Sequence, residues 1–272
     1  MSASERPLRL ALVGWGTISQ RLAALVSDMA LPVAIVAVAV RDAGRMRAPP
    51  PSGAAVLTSP AELAGHRPAL VIEAAGRASV GPWADAALTA GCEIIIASTS
   101  AFTDDELLAR LIALAGQHGG RLTIPSGSIG AIDALSAASV LPLTSVTHRI
   151  VKPPDGWRGT AAEGLADLSA VREATILFSG SAREAAARFP QNANATIVTA
   201  LAGIGLDLTR VALVADPLSR QNRHEIMVEG AFGAFEIKLA NAPMAGNPRS
   251  SELTALSLAH LVRNRCRAFG IG

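Results

Sequence analysis

The sequence predicts an α/β chain: a doubly wound parallel-sheet domain followed by an α+β domain. Three observations carry this reading. Short, continuous apolar runs alternate with helical segments over the first half, and strands that are apolar at every position belong to a parallel sheet covered on both faces. A Gly-x-Gly turn stands between the first apolar run and the first helical segment. Past residue 127 the pattern changes, and two later runs are joined by a glycine-centred turn, as in an antiparallel hairpin.

The elements follow in order. "LRLALVG" (8–14) is a buried strand, and "GWGTISQRLAALVSDMA" is a turn and helix. "VAIVAVAV" (33–40) is the second strand, followed by a Pro-rich surface loop, "APPPSG" (48–53). "ALVIEAAG" (69–76) is the third, with a helix through "PWADAALTAG". "CEIIIAS" (92–98) is the fourth, "DDELLARLIALAGQHG" an amphipathic helix, and "RLTIPSG" (121–127) the fifth strand. Residues 1–127 therefore form the first domain. In the second domain, 128–249, "SVTHRIVK", "EATILFSG", "TRVALVAD", "RHEIMVEGAF" and "AFEIKLAN" read as strands. "FPQNANATIVTALAGIG" is a helix with proline near its start, where proline is tolerated. Residues 250–272 hold a C-terminal helix, "SSELTALSLAHLVRN", with a serine cap, expected to pack back on the first domain.

Composition removes several function classes. With half of 272 residues hydrophobic and 17% charged, the chain is not disordered. No apolar run reaches the roughly 18 residues of a membrane span, and the N-terminus has no apolar signal core. Cys92 and Cys266 have no metal-ligand spacing, nor does any His/Asp/Glu cluster, so no metal is expected and the cytoplasm is the simplest location. The net charge of +2 is spread over scattered arginines, which argues against a nucleic-acid partner. The absence of tyrosine excludes a tyrosine general acid, and 3% aromatics leave little for base stacking.

The candidate site residues fall in both halves. Gly14-Trp15-Gly16-Thr17-Ile18-Ser19 lies where a dinucleotide fingerprint requires, between strand and helix. Gly14 permits the tight turn, Gly16 lets backbone approach a pyrophosphate, and the helix start at Thr17 and Ile18 supplies amide donors. Ser19 replaces the third glycine, so helix–strand packing should be looser. Arg41 can hold a 2′-phosphate and Asp42 a ribose, unless the two are a solvated pair at a strand end; NAD or NADP is the expected cofactor. Glu73 borders the ligand crevice or bonds nearby amides. Asn192 or Asn194 caps the following helix or holds a carboxamide or ribose. Lys152 ends a strand before two prolines, facing a site or solvent. His224 opens a strand, in a structural or a chemical role. His66, His118, His148 and His260 have weaker claims. "PSGSIGAID" is either a plain connection or the floor of a site.

Taken in order, "PSGSIGAIDAL", "KPPDGWRGT", "FPQNANAT", "LAGIGLDLTRVALVADP", "HEIMVEGAFGAFEIKLAN" and "NPRSSELTALS" resemble the L-aspartate dehydrogenase family over nearly the whole chain. The resemblance implies a Rossmann domain with an α/β substrate and dimerisation domain, commonly a homodimer. It implies oxidation of a small-molecule amino acid, L-aspartate, to iminoaspartate with NAD or NADP, feeding NAD biosynthesis in some organisms; the reverse is reductive amination of oxaloacetate. His224 falls on the family's active-site histidine, and Ser128 and Asn194 on its cofactor contacts. The "PSGSIGAID" stretch then becomes the cofactor-side floor. A histidine titrating near neutral pH suits the amine proton, as acceptor or as orienting donor. Buried substrate carboxylates need donors, for which Lys152 and Asn192 are the candidates. The chain departs from the family pattern at Ser19, at Ser128 and across Ser98-Thr99-Ser100-Ala101. These added hydroxyls keep two rivals open: a related Rossmann reductase acting on another small amino or keto acid, and a non-catalytic NAD(P)-binding sensor.

Overall fold

The computed structural model describes residues 6–244 and 247–270. The chain forms two compact units, residues 1–125 with 255–272, and residues 126–254.

The first unit contains β1 (Leu8–Val13), α1 (Thr17–Asp28), β2 (Val33–Ala39), β3 (Ala55–Leu57), β4 (Leu70–Glu73), α2 (Arg77–Thr89), β5 (Glu93–Ile96), α3 (Asp105–His118) and β6 (Arg121–Thr123). The strands pair in parallel in the order β3-β2-β1-β4-β5-β6. This is the doubly wound Rossmann arrangement, and the strand order reverses between β1 and β4. The apolar runs are central because both faces are covered. Leu10, Leu12, Val38, Leu70, Ile72 and Ile95 share a buried cluster with Leu22 and Val26 of α1. Leu258, Ala259 and Val262 of the C-terminal helix close the same cluster. Two details differ from the sequence reading. β3 follows the Pro-rich loop as an edge strand on β2; at three residues it is too short for periodicity to reveal. Helix α2 begins at Arg77, five residues before Pro82, which lies inside it. The start of the helix is held from the preceding strand by Glu73, through the Ala75 and Gly76 amides and the Ser79 hydroxyl.

The second unit contains α4 (Ile132–Ala138), β7 (Leu143–Lys152), β8 (Thr175–Ser181), α5 (Ala182–Arg188), α6 (Ala193–Ala202), β9 (Arg210–Ala215), β10 (Arg223–Gly230), β11 (Gly233–Ala240), β12 (Pro243–Met244) and β13 (Asn247–Ser251), which leads into α7 (Glu252–Arg265). The five-stranded sheet runs β11-β10-β7-β9-β8 and is mixed, with β7 and β9 parallel and the other pairs antiparallel. Side chains alternate across it. Val146 of β7 and Ile226 and Val228 of β10 share one buried face with Ile132 and Leu135 of α4 and Ala195 and Ala202 of α6. β12 and β13 form a separate two-stranded pair absent from the sequence reading.

Candidate active site

In the first unit the functional features are made of backbone. Gly14 has φ +92, and a Cβ there would lie 2.8 Å from Ala75, so the fold itself demands glycine. Gly16 is different: nothing lies within 4 Å of a Cβ built on it, so the space beyond its backbone is open. Gly16 is also the N-cap of α1, which has no capping side chain and no acid in its first turn. The first amides, Thr17 and Ile18 among them, and the uncompensated helix dipole fit an anion such as a pyrophosphate. Trp15 pins the turn through Nε1, which lies 3.1 Å from the Ala48 carbonyl and 3.2 Å from that of Pro49.

Other expectations here become structural. Asp42 accepts from the Gly44 amide at 2.9 Å and pairs with Arg45 at 3.3 Å; it caps a short turn rather than standing ready for a ribose. Arg41 is exposed at the end of β2. Glu73 is fully buried and joins the carboxyl ends of β4 and β5. Its Oε1 accepts from the amides of Ala75 and Gly76 at 2.8 and 3.0 Å and from the Ser98 hydroxyl at 3.0 Å. Ser98 is thus engaged inside the unit, and Thr99 is buried beside it. Ser19 is buried as well, and its hydroxyl has no partner among the described residues. A groove of about 820 Å³ lined by Arg9, Val33, Ala34 and His66 lies at the amino-terminal ends of the strands, opposite Gly14. Ligands of such sheets bind at the carboxyl ends, so this groove is not the cofactor's.

In the second unit the site is made of side chains. His148 on β7 and His224 on β10 are diagonal neighbours on one face, because His224 faces Ile150 across the ladder and His148 faces Ile226. His148 Nε2 lies 3.0 Å from His224 Nδ1, and His148 Nδ1 lies 3.0 Å from Thr199 Oγ1 on α6. Lys152 shares the parity of His148 on β7. Its Nζ donates to Asn192 Oδ1 at 3.1 Å and sits 4.5 Å from the centre of the buried Trp157 ring. Asn192 Nδ2 is buried with no partner among the described residues. Asn192 stands at the N-cap position of α6, but its side chain makes no cap bond; Oδ1 is held by Lys152 instead. Asn194 is exposed on the first turn of α6.

The electrostatics follow from this packing. Burial pushes Lys152 down to about 8, so it is not the solvated lysine that its place before two prolines allowed. His224 is pushed down to about 4, first by burial and then by the Lys152 charge. The expectation of a histidine titrating near neutrality is thus corrected: His224 stands neutral at physiological pH. His148 is driven well below its ordinary value, by burial and then by His224. On the opposite face, Glu225 pairs with Arg149 at 3.1 Å and with Arg223 at 3.3 Å, and Arg223 reaches Asp216 at 3.1 Å. From the two residues that flank His224, these ion pairs tie β10 to β7 and to the turn after β9.

The "PSGSIGAID" stretch does not run straight into a helix. Gly127 and Ala131 both have positive φ, at +64 and +56, and α4 begins only at Ile132. The turn is pinned by Asn241, which donates to the Ser128 carbonyl at 2.8 Å. Thr199 escapes the sequence reading, and His148 ranks there among the weaker candidates, although it keeps step with Val146 and Ile150. A polar residue in the core-facing register of a strand must have a buried partner.

Comparison with known proteins gives the family. Residues 133–265 match the family "Aspartate dehydrogenase, C-terminal", and residues 14–125 match "Homoserine dehydrogenase, NAD binding domain". The L-aspartate dehydrogenase of Brucella anthropi is 52% identical over 97% of this chain and 98% of its own. The chain belongs to the aspartate dehydrogenase family. Another member, the L-aspartate dehydrogenase of Ruegeria pomeroyi, is 41% identical over 95% of this chain and 92% of its own. The crystal structure of aspartate dehydrogenase from Thermotoga maritima superposes with a TM-score of 0.79 at 26% identity, covering 97% of this chain and 99% of that one. Every side chain of the buried cluster, from His148 to His224, lies inside the segment that matches the aspartate dehydrogenase C-terminal family. No helix among the described residues is long and apolar enough to cross a membrane, and among those residues no group of His, Cys, Asp and Glu is placed to hold a metal.

Proposed function

We propose that this chain is an NAD(P)-dependent dehydrogenase that oxidises L-aspartate to iminoaspartate and, in reverse, reductively aminates oxaloacetate. The observation that carries the reading is a neutral, buried His224 in the electrostatic reach of Lys152, whose ammonium holds Asn192. Lys152 Nζ and the unpartnered Asn192 Nδ2 are the donors for a substrate carboxylate, which would otherwise be costly to bury. His224 accepts a proton from the substrate ammonium, leaving a neutral amine whose lone pair forms the C=N bond as hydride departs from Cα. A nicotinamide cofactor, once bound, supplies the hydride acceptor. Burial is the larger cause of the low His224 value and the Lys152 charge the smaller; a carboxylate set against Lys152 offsets that charge and raises the histidine's affinity for the proton.

Gly14, Gly16, Thr17, Ile18 and Arg41 of the first unit, with Ser128 and Asn194 of the second, are the proposed cofactor residues. A cytoplasmic homodimer is the assembly that fits the family. Of the residues that depart from the family pattern, Ser19, Ser98 and Thr99 are buried within the first unit, which removes them as substrate contacts; Ser100 and Ser128 are half-buried. The test is NADH or NADPH oxidation with oxaloacetate and ammonia. Turnover is expected. Turnover only with other keto acids would move the substrate, and tight cofactor binding without any turnover would make the protein a sensor.

A further inference from the structure

We propose that His148 and Thr199 are positioning residues that fix His224 in the tautomer with Nδ1 protonated and Nε2 free to take the substrate proton. The inference rests on the reading of His224 as proton acceptor.

The chain of hydrogen bonds has a direction. The Thr199 hydroxyl has one proton, and Oγ1 lies 3.2 Å from the Ala195 carbonyl, which can only accept. With that proton directed to Ala195, Oγ1 accepts from His148 Nδ1 at 3.0 Å. Burial keeps His148 neutral, and a neutral imidazole has one donor and one acceptor nitrogen. Once Nδ1 donates, Nε2 of His148 must accept, and its neighbour at 3.0 Å is His224 Nδ1. His224 is also neutral, so a proton on Nδ1 leaves Nε2 as a bare lone pair. A helix backbone carbonyl thereby determines, through two side chains, which nitrogen of a strand histidine is basic. The three residues come from β7, α6 and β10, and all are buried, so water does not compete for these bonds. The logic parallels a carboxylate that orients a catalytic histidine, with a neutral acceptor in its place. When His224 takes the substrate proton, His148 Nε2 remains an acceptor for Nδ1–H of the imidazolium.

The test joins spectroscopy and kinetics on the full chain. With ¹⁵N-labelled histidine, NMR should show His224 protonated at Nδ1 and bare at Nε2. The reversed tautomer in the wild-type protein would overturn the proposal. His148→Phe and Thr199→Val should lower kcat about ten- to a hundredfold, the scale seen when a metal-bound histidine loses its outer partner, with cofactor affinity and aspartate KM near wild type. His148→Gln, whose Oε1 can accept where Nε2 did, should recover most of kcat. In that background Thr199→Val should cost nothing further, a pattern that loss of packing would not produce. Thermal midpoints and circular dichroism identify variants that fail to fold. If His148→Phe is one of them, His148→Gln, Thr199→Val and the wild-type tautomer still decide. A normal kcat in His224→Asn would remove the proton-acceptor reading and the relay with it. A low kcat in His224→Asn beside a normal one in Thr199→Val and His148→Phe would remove the relay alone.

Discussion

The candidate sites of the two units are built by different means. At the Gly14–Ile18 turn of the first, the groups offered to a ligand are backbone amides, and the specialised residues are glycines that make room. On the helix-covered sheet face of the second, they are side chains from β7, the start of α6 and β10, packed until two histidines and a lysine are pushed off their ordinary titration ranges. A site built from backbone needs only a few consecutive residues. One built from buried side chains needs the whole domain folded. Outside Ser128 and Asn194, the cofactor contacts proposed in the second unit, substitutions should therefore divide, with damage to cofactor affinity falling in the first unit and damage to proton chemistry in the second.

The largest effect should come from His224→Asn, which keeps polarity and approximate size but cannot take the proton. Turnover should fall about 10²- to 10⁴-fold while NAD(P)H titration stays near wild type. A parallel loss of cofactor affinity would break the division, and near-normal turnover in a folded variant would return His224 to a structural role.

Lys152→Met probes the substrate side of the same face. Removing the charge-assisted bonds to a carboxylate should weaken aspartate binding by about 1.5–3 kcal/mol, read as a raised KM, with cofactor affinity intact. An unchanged KM would show that Lys152 holds Asn192 in place and nothing else.

Arg41→Ala asks the complementary question of the first unit. A guanidinium at the end of β2 that pairs with a 2′-phosphate should be worth about 1–3 kcal/mol in NADPH binding, with NADH hardly touched and aspartate KM unaltered. Equal losses for both cofactors would remove Arg41 from the 2′-phosphate.

Acid should act chiefly on the second unit. Unfolded histidine titrates near 6.5 and folded His224 near 4, so the unfolded chain takes up its proton first as pH falls. The stability contributed by neutral His224 is complete above 6.5 and is lost between 6.5 and 4. Near pH 5 that loss is about 2 kcal/mol for His224 alone. His148 acts in the same direction, whereas the Lys152 shift acts between 10.5 and about 8, outside this window. Denaturant midpoints near pH 7.5 and pH 5 should thus differ less in His224→Asn than in the wild type; equal differences would mean that His224 is not held neutral by the fold.

The smallest effect expected is a gain. Ser19→Ala removes a buried hydroxyl that has no partner among the described residues and should stabilise the first unit by about 1 kcal/mol, leaving turnover unchanged. No gain would mean that the hydroxyl finds a partner in solution.

The sequence alone determined the first unit's plan, because a buried parallel strand, a glycine turn and a helix start are written in contiguous residues whose apolar period is local. It likewise marked Gly14, Gly16, Lys152 and His224, each at the edge of a recognisable element. It did not reveal β3 or β12, which are too short to show a period. It set His148 among the weaker candidates and left Asn192 open between capping and binding. Only the tertiary structure decided that His148 meets His224 and Thr199, that Lys152 takes Asn192 away from the cap of α6, and that Asp42 and Ser98 serve the fold. These partners lie far apart along the chain, and pairing register with helix packing brings them together. Burial, which no short stretch of sequence specifies, then sets which of them carry charge.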